Sequence, residues 1–129
     1  MPDAMTERRI ERGDLFWCVG DAAGGAVPAI PHPHVVVSED VFNRSRIDAV
    51  VDCALTSNLR RADEPGNVLL EPGEGGLERP SVVVVSQIAS VRKADLGNRI
   101  GRLDGARVDR ILAGLRFQQR SFGRAPAQE

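Results

Sequence analysis

Short apolar runs separated by turn residues follow one another along most of the chain and predict a mainly β protein. The runs have the length and the β-branched content of strands. Strands are predicted over residues 14–19, 35–38, 49–55, 67–70 and 81–86. Residues 39–46 predict a turn or a single helical turn, and residues 72–76 (P-G-E-G-G) a tight turn. Short strands at this spacing are typical of a small barrel or sandwich.

Helical spacing occurs only towards the C-terminus, in the apolar residues Val108, Ile111, Leu112 and Leu115. Asp104 is placed to cap this helix, because its carboxylate can accept hydrogen bonds from first-turn amides. The Gly- and Pro-rich stretch 20–33 predicts a long loop. The fold class is therefore α+β, mainly β with a C-terminal helix. We expect one domain over residues 12–122, with flexible tails over residues 1–11 and 123–129.

The chain has 129 residues, 42% hydrophobic and 27% charged, which is typical of a single soluble domain. No apolar run approaches the roughly 20 residues of a membrane span. The polar N-terminus has no apolar segment of a secretory signal. We therefore expect a cytoplasmic protein without membrane contact.

The two cysteines, Cys18 and Cys53, do not form a C-x-x-C motif, and both lie in predicted strands. This favours two reduced, buried thiols that pack as small apolar side chains. A redox or metal role is the alternative, and no cofactor is expected.

The net charge of −1 argues against a protein that coats nucleic acid through bulk charge. The charges are nevertheless uneven, with nine basic and three acidic residues over 92–124, and five acidic and no basic residues over 63–78. Sixteen of the seventeen cations are arginine, which suits bidentate contact with phosphate. A GC-rich genome would give the same bias, so composition alone does not decide.

A series of short motifs follows the predicted elements in order. They are R-G-D at 12–14, P-H-V-V-V-S at 33–38, T-S-N-L at 56–59, G-E-G-G-L at 73–77, S-V at 81–82, Q-I at 87–88, L-G at 96–97 and I-G-R-L at 100–103. No single motif is specific, but the ordered set, over about residues 12–115, resembles the MazF/PemK family of type II toxin–antitoxin toxins.

This resemblance implies an SH3-like barrel with a C-terminal helix, shared with the CcdB toxins, and a homodimer. It implies a sequence-selective endoribonuclease that cuts single-stranded RNA without a metal. It also implies a cognate, DNA-binding antitoxin of the MazE type, whose disordered acidic tail covers the RNA groove. Two alternatives are a binding module, such as a CcdB-like topoisomerase inhibitor or a weakly active relative, and a generic SH3-like interaction domain. A CcdB-like protein would use an apolar helix tip, but here Phe117 and Phe122 lie among arginines.

RNA cleavage without a metal uses the 2′-hydroxyl as nucleophile and leaves a 2′,3′-cyclic phosphate and a 5′-hydroxyl. It needs a base, an acid and stabilisation of charge on phosphorus. The resemblance places the family's catalytic Arg at His32 and its catalytic Thr at Thr56. Histidine titrates near neutral pH, so His32 can transfer a proton. His34 shares a face with His32 if the backbone is extended, and the pair can then divide the acid and base roles. Alternatively, His34 only lines a groove. The two histidines are not expected to bind a metal, because the sequence places no third ligand.

The candidate RNA-binding residues are Ser57, Asn58, Arg60, Arg61, Ser86 and Gln87. The arginines can bind phosphates or remain solvated loop charges. Asn58 can contact a base edge or form a turn, and a turn bond is also the alternative for Thr56. Of the strand neighbours Phe16 and Trp17, at least one must pack in the core, while the other can stack on a base.

Overall fold

The computed structural model describes residues 8–19 and 30–123, with side chains up to Arg120. A curled, six-stranded antiparallel sheet forms a half-barrel in the order β4-β5-β3-β2-β1-β6, with one long C-terminal helix. The strands are β1 (Asp14–Val19), β2 (Pro31–Val36), β3 (Ala49–Thr56), β4 (Val68–Leu70), β5 (Ser81–Arg92) and β6 (Arg99–Arg102). The α-helices are α1 (Asp40–Asn43) and α2 (Gly105–Gly123), and 3-10 turns span Leu59–Asp63, Glu74–Gly76 and Lys93–Asp95. The predicted fold class is confirmed.

Three strands differ from the sequence prediction: β6 was not predicted, and β5 and β2 have other bounds. β5 extends to Arg92, and β2 begins at Pro31 rather than Val35, so His32 lies in a strand and not in a loop. Residues 20–29 of the predicted loop lie outside the described residues. Prolines 31 and 33 are tolerated because this part of β2 pairs with β1 alone, whereas its ladder with β3 covers only His34 to Val36. A proline lacks the N–H that a ladder on both sides would require.

The two faces of the sheet pack against different apolar clusters. The larger cluster includes Leu15, Val35 and Cys53, and helix α2 covers it with Ile111 and Leu115. The smaller cluster lies on the other face and consists of Ile10, Phe16, Cys18, Val36, Val50 and Leu96. Both cysteines are buried and free, as expected from their strands.

The chain ends of the domain are partly fixed by contacts. Residues 8–11, expected in a flexible tail, pack on the sheet: Ile10 is buried, and the Arg8 guanidinium donates to the carbonyls of Leu96 and Gly97. Residues 1–7 and 124–129 lie outside the described residues. At the start of α2, the Asp104 carboxylate accepts from the Arg107 amide at 2.9 Å, which confirms the predicted cap. Neither helix in the described ranges combines the length and apolar character needed to span a bilayer.

A buried carboxylate joins the first and last strands. Asp14 is 1% exposed and accepts from Arg99 at 3.2 Å and from Arg102 at 3.0 Å. Its second oxygen accepts from the Glu11 amide at 2.9 Å. Breaking such a buried pair leaves a charge without compensation. The R-G-D and I-G-R-L motifs are therefore explained by the closure of β6 onto β1.

Gly105 and Gly114 of helix α2 lie in different surroundings, which gives a matched test of the docking of this helix. A Cβ at Gly114 would collide with the carbonyl oxygen of Gly66, whereas a Cβ at Gly105 would meet nothing within 4 Å. We expect Gly114→Ala to lower the free energy of unfolding by about 1–3 kcal/mol, the usual effect of overpacking. Gly105→Ala should leave it unchanged or raise it by up to about 1 kcal/mol. Urea denaturation measures both, and equal stability of the two variants would contradict close docking at Gly114.

Candidate active site

The three predicted catalytic residues lie on one face of the sheet. His34 is paired with Phe16 of β1 and Ala54 of β3, and His32 is paired with Cys18. Directly opposed residues of antiparallel strands share a face. The β2–β3 ladder ends at the His34–Ala54 pair, and Thr56, two residues beyond Ala54, lies on the same face of β3. His32 and His34 are alternate residues of β2, so their Cα atoms are about 7 Å apart along the strand.

His34 contacts a buried acid that the sequence reading did not single out. Nδ1 of His34 lies 3.0 Å from Oδ1 of Asp52, in the middle of β3. The Asp52 side chain is fully buried, and 13% of the His34 side chain is exposed. The Cys18 thiol donates to the other oxygen of Asp52 across 4.0 Å. The signal in the sequence was a single acidic residue inside an otherwise apolar strand, since a buried carboxylate requires a partner.

Cys18, His34 and Asp52 also place three ligating atoms within 4.8 Å of one another. The sequence alone places no third ligand beside the histidines, but the pairing of β1, β2 and β3 brings Cys18 and Asp52 to His34. Hydrogen bonds already engage both carboxylate oxygens of Asp52. The three groups are thus satisfied as a hydrogen-bonded chain and do not require an ion.

His32 differs from His34 in its surroundings, because it lies exposed near the start of β2. Thr56 is half-buried at the end of β3, and its hydroxyl oxygen accepts from the Asn58 amide at 3.1 Å. The Asn58 side chain in turn accepts from the Arg60 amide at 3.2 Å. Both turn-forming contacts are therefore present. A hydroxyl is also a donor, so Thr56 keeps a proton for a ligand.

The candidate RNA-binding residues divide into two groups around Thr56. Ser57, Asn58 and Arg60 are exposed at the start of the 59–63 turn, whereas Arg61 is ion-paired with Glu64 at 3.0 Å. Ser86 and Gln87 are exposed in β5, where the register shifts: Cys53 pairs with Ile88 and Leu55 with Val83. Residues 84–87 thus lie opposite Ala54 alone, the residue that pairs with His34. The bulge brings this part of β5 to the level of the histidines.

The two aromatic neighbours of β1 behave as strand alternation requires. Phe16 is buried in the smaller cluster, whereas 44% of Trp17 is exposed. Trp17 pairs with Pro33 and so lies on the face opposite to the histidines. It is available for stacking, but not directly over His32 or His34.

A separate apolar groove of about 480 Å³ lies beside α2, lined by side chains such as Phe42, Ile47, Ile88 and Leu112. None of the candidate catalytic or RNA-binding residues lines it.

Comparison with known proteins identifies the family to which this fold belongs. Residues 11–118 match the family of PemK-like, MazF-like toxins of type II toxin–antitoxin systems. Endoribonuclease MazF6 of Mycobacterium tuberculosis is 35% identical over 107 residues, which are 83% of this chain and 94% of that protein. Endoribonuclease EndoA of Bacillus subtilis is 30% identical over 113 residues, 84% of this chain and 92% of that protein.

Solved structures agree at the level of the fold. A mycobacterial endoribonuclease in complex with its cognate antitoxin superposes with a TM-score of 0.69 at 24% identity, over 85% of this chain and 94% of that one. MazF from Deinococcus radiodurans superposes with a TM-score of 0.70 at 18% identity, over 87% of this chain and 97% of that chain.

The fold and the matched relatives define a toxin of a type II toxin–antitoxin system with endoribonuclease activity. The chain belongs to the PemK/MazF toxin family. The predicted family, activity class and fold are thereby confirmed, and the CcdB-like alternative is not favoured.

The burial of both cysteines makes a prediction about their reactivity. Burial raises the pKa of Cys18 to about 12, to which the adjacent Asp52 carboxylate contributes, and the same causes raise the pKa of Cys53 to about 12. At pH 8 both thiols are then protonated, and a protonated thiol is a poor nucleophile. We expect no alkylation by iodoacetamide in the folded protein and labelling of both cysteines in urea. Rapid labelling of Cys18 in the folded state, detected by mass spectrometry, would contradict this description.

Proposed function

We propose that the chain is a metal-independent, sequence-selective endoribonuclease for single-stranded RNA, with His32, His34 and Thr56 as its catalytic residues. The observation that carries the proposal is their common face: two proton-transfer groups at alternate positions of β2, and a hydroxyl on the same face of the neighbouring strand β3. Because its substrate is RNA, we place its action in the cytoplasm.

In the proposed mechanism, one imidazole removes the proton of the 2′-hydroxyl, and the 2′-oxygen attacks the adjacent phosphorus. The bond from phosphorus to the 5′-oxygen breaks, and the second imidazole protonates that oxygen. Thr56 donates a hydrogen bond to a non-bridging phosphate oxygen as its charge increases. The products are a 2′,3′-cyclic phosphate and a 5′-hydroxyl; no electrons are transferred, and the two imidazoles supply both proton transfers.

The RNA strand would follow the exposed residues on both sides of this face. Arg60 supplies a cation beside Thr56, while Ser57 and Asn58 on one side and Ser86 and Gln87 on the other offer hydrogen bonds to bases. Arg61 is a weaker candidate for RNA binding, because it is already ion-paired with Glu64. Phosphate contacts position the strand, and base contacts select its sequence.

We further propose that the protein acts as a homodimer and is restrained by a cognate MazE-like antitoxin with an acidic tail. One solved relative is an endoribonuclease in complex with its antitoxin. An exposed arginine such as Arg60 suits an acidic peptide as well as it suits RNA phosphate.

Cleavage in EDTA is the direct test of the catalytic residues. We expect discrete cuts of a long single-stranded RNA, with cyclic phosphate ends. His32→Ala should reduce kcat by about 10²-fold or more, and Thr56→Ala should also slow the reaction, since each removes a group that acts in the transition state. Arg110→Ala on the exposed part of α2 is the control and should cleave as the wild type does. No cleavage by a folded wild-type protein, or full activity of His32→Ala, would overturn the proposal.

The role of Arg60 is tested by binding rather than by cleavage. A non-cleavable RNA with 2′-deoxy substitutions should bind Arg60→Ala more weakly than the wild type. Its log–log salt slope should fall by about 0.7, the value for one phosphate contact on a single strand. The same change at exposed Arg110 should alter neither quantity. An unchanged slope for Arg60→Ala, measured by fluorescence anisotropy, would show that Arg60 is a solvated loop charge.

A further inference from the structure

We propose that Asp52 is a positioning residue: it holds His34 with the proton on Nδ1, so that Nε2 of His34 is the general base and His32 is the general acid. This inference rests on the proposed ribonuclease function and assigns the order of its two proton transfers. The sequence motifs alone leave that order open and do not point to Asp52.

The burial of Asp52 makes it depend on hydrogen-bond donors. Its side chain is fully buried in β3, where an ionised carboxylate is stable only with hydrogen-bond donors on its oxygens. Within the described ranges, the donors are His34 at 3.0 Å and the Cys18 thiol at 4.0 Å. The other buried acid described above, Asp14, is instead neutralised by the guanidinium groups of Arg99 and Arg102. Asp52 differs from Asp14 because its charged or chargeable partner is a single imidazole.

The contact with Asp52 determines which nitrogen of the His34 imidazole carries the proton. A carboxylate can only accept, so the contact at 3.0 Å requires the proton on Nδ1 of His34. The neutral ring then carries its lone pair on Nε2, on the other side of the ring from the buried acid. This is the nitrogen that can accept the proton of the 2′-hydroxyl. Asp52 stabilises the positive charge that the ring gains, as the acid does in other acid–histidine pairs.

His32 lies in different surroundings from His34. It occupies the same face two residues away, but it is exposed and opposite Cys18 rather than an acid. In the reaction, the 2′-oxygen bonds to phosphorus while its proton moves to Nε2 of His34. The bond to the 5′-oxygen breaks, and that oxygen takes a proton from the His32 imidazolium. The number of protons on the two histidines together is unchanged.

The tautomer of His34 can be measured without any cleavage. Two-dimensional NMR of the ¹⁵N-labelled wild type, recorded above neutral pH, should show His34 with its proton on Nδ1. Free histidine favours the proton on Nε2, so this result is specific for the buried acid. A His34 ring protonated on Nε2 would overturn the inference, even in a protein that cleaves RNA. Conversely, the Nδ1–H form in a protein without cleavage would support the positioning role and count against the proposed function.

A double-mutant cycle tests the catalytic consequence. Asp52→Asn should lower kcat by about 10²-fold or more with little change in KM, because the substitution acts on proton transfer and not on RNA binding. His34→Asn should remove the base, because it has no nitrogen that can accept a proton. Its side-chain N–H lies near the position of Nδ1 and can still donate a hydrogen bond to Asp52. Asp52→Asn introduced into His34→Asn should then cause no further loss. Additive losses in the double variant would overturn the inference.

Asp48→Asn is the matched control, since Asp48 precedes the same strand but is 72% exposed. It should leave both kcat and the His34 tautomer unchanged. Should Asp52→Asn fail to fold, the wild-type tautomer remains the deciding measurement.

Discussion

The register of β2 between β1 and β3 is the constraint on which the candidate site depends. Val35 and Val36 are buried on opposite faces of the sheet, each in a different apolar cluster. A slip of one residue would exchange these faces and turn both histidines towards the larger core. The same register places His34 beside Ala54 and near Asp52, and it puts His32 and Thr56 on the same face of the sheet. Packing of two valines therefore determines which side chains can meet an RNA strand.

Polar anchors hold the sheet in the curl that brings β6 back to β1. Asp14 receives two arginines from β6, and Glu74 receives the Arg107 guanidinium at 2.8 Å, which fixes the start of α2 to the 74–76 turn. Close backbone contacts accompany them, since a Cβ at Gly101 would collide with the carbonyl oxygen of Gly75. Three motifs that carry the family resemblance, R-G-D, G-E-G-G-L and I-G-R-L, thus serve architecture. This explains why they indicated the fold more firmly than the chemistry.

The elements with clear periodicity could be predicted from the sequence, and the parts that depend on long-range pairing could not. The β-branched strands and the capped helix α2 follow from local preference and spacing. The early start of β2 could not be predicted in this way, because Pro31 and Pro33 disfavour a strand in isolation. They are accommodated only because the ladder between β2 and β3 does not extend to them. The histidines and Thr56 were found through their motif positions. Asp52 was not, since its partner lies 18 residues away and only the antiparallel register joins them.

The burial of Asp52 also gives His34 a structural role that His32 does not have. Removing the only imidazole that faces this carboxylate within the described ranges leaves a buried acceptor without its donor, which costs on the order of 1–3 kcal/mol, and more for a charged group. His34 is therefore required by the fold as well as by the proposed reaction, whereas exposed His32 is free to vary with the chemistry. Position 32 is where the family resemblance implies an arginine, which is a charge stabiliser and not a proton donor at neutral pH. An exposed histidine there is consistent with a site in which a buried acid–histidine pair supplies the base, and the outer residue is left to supply the acid.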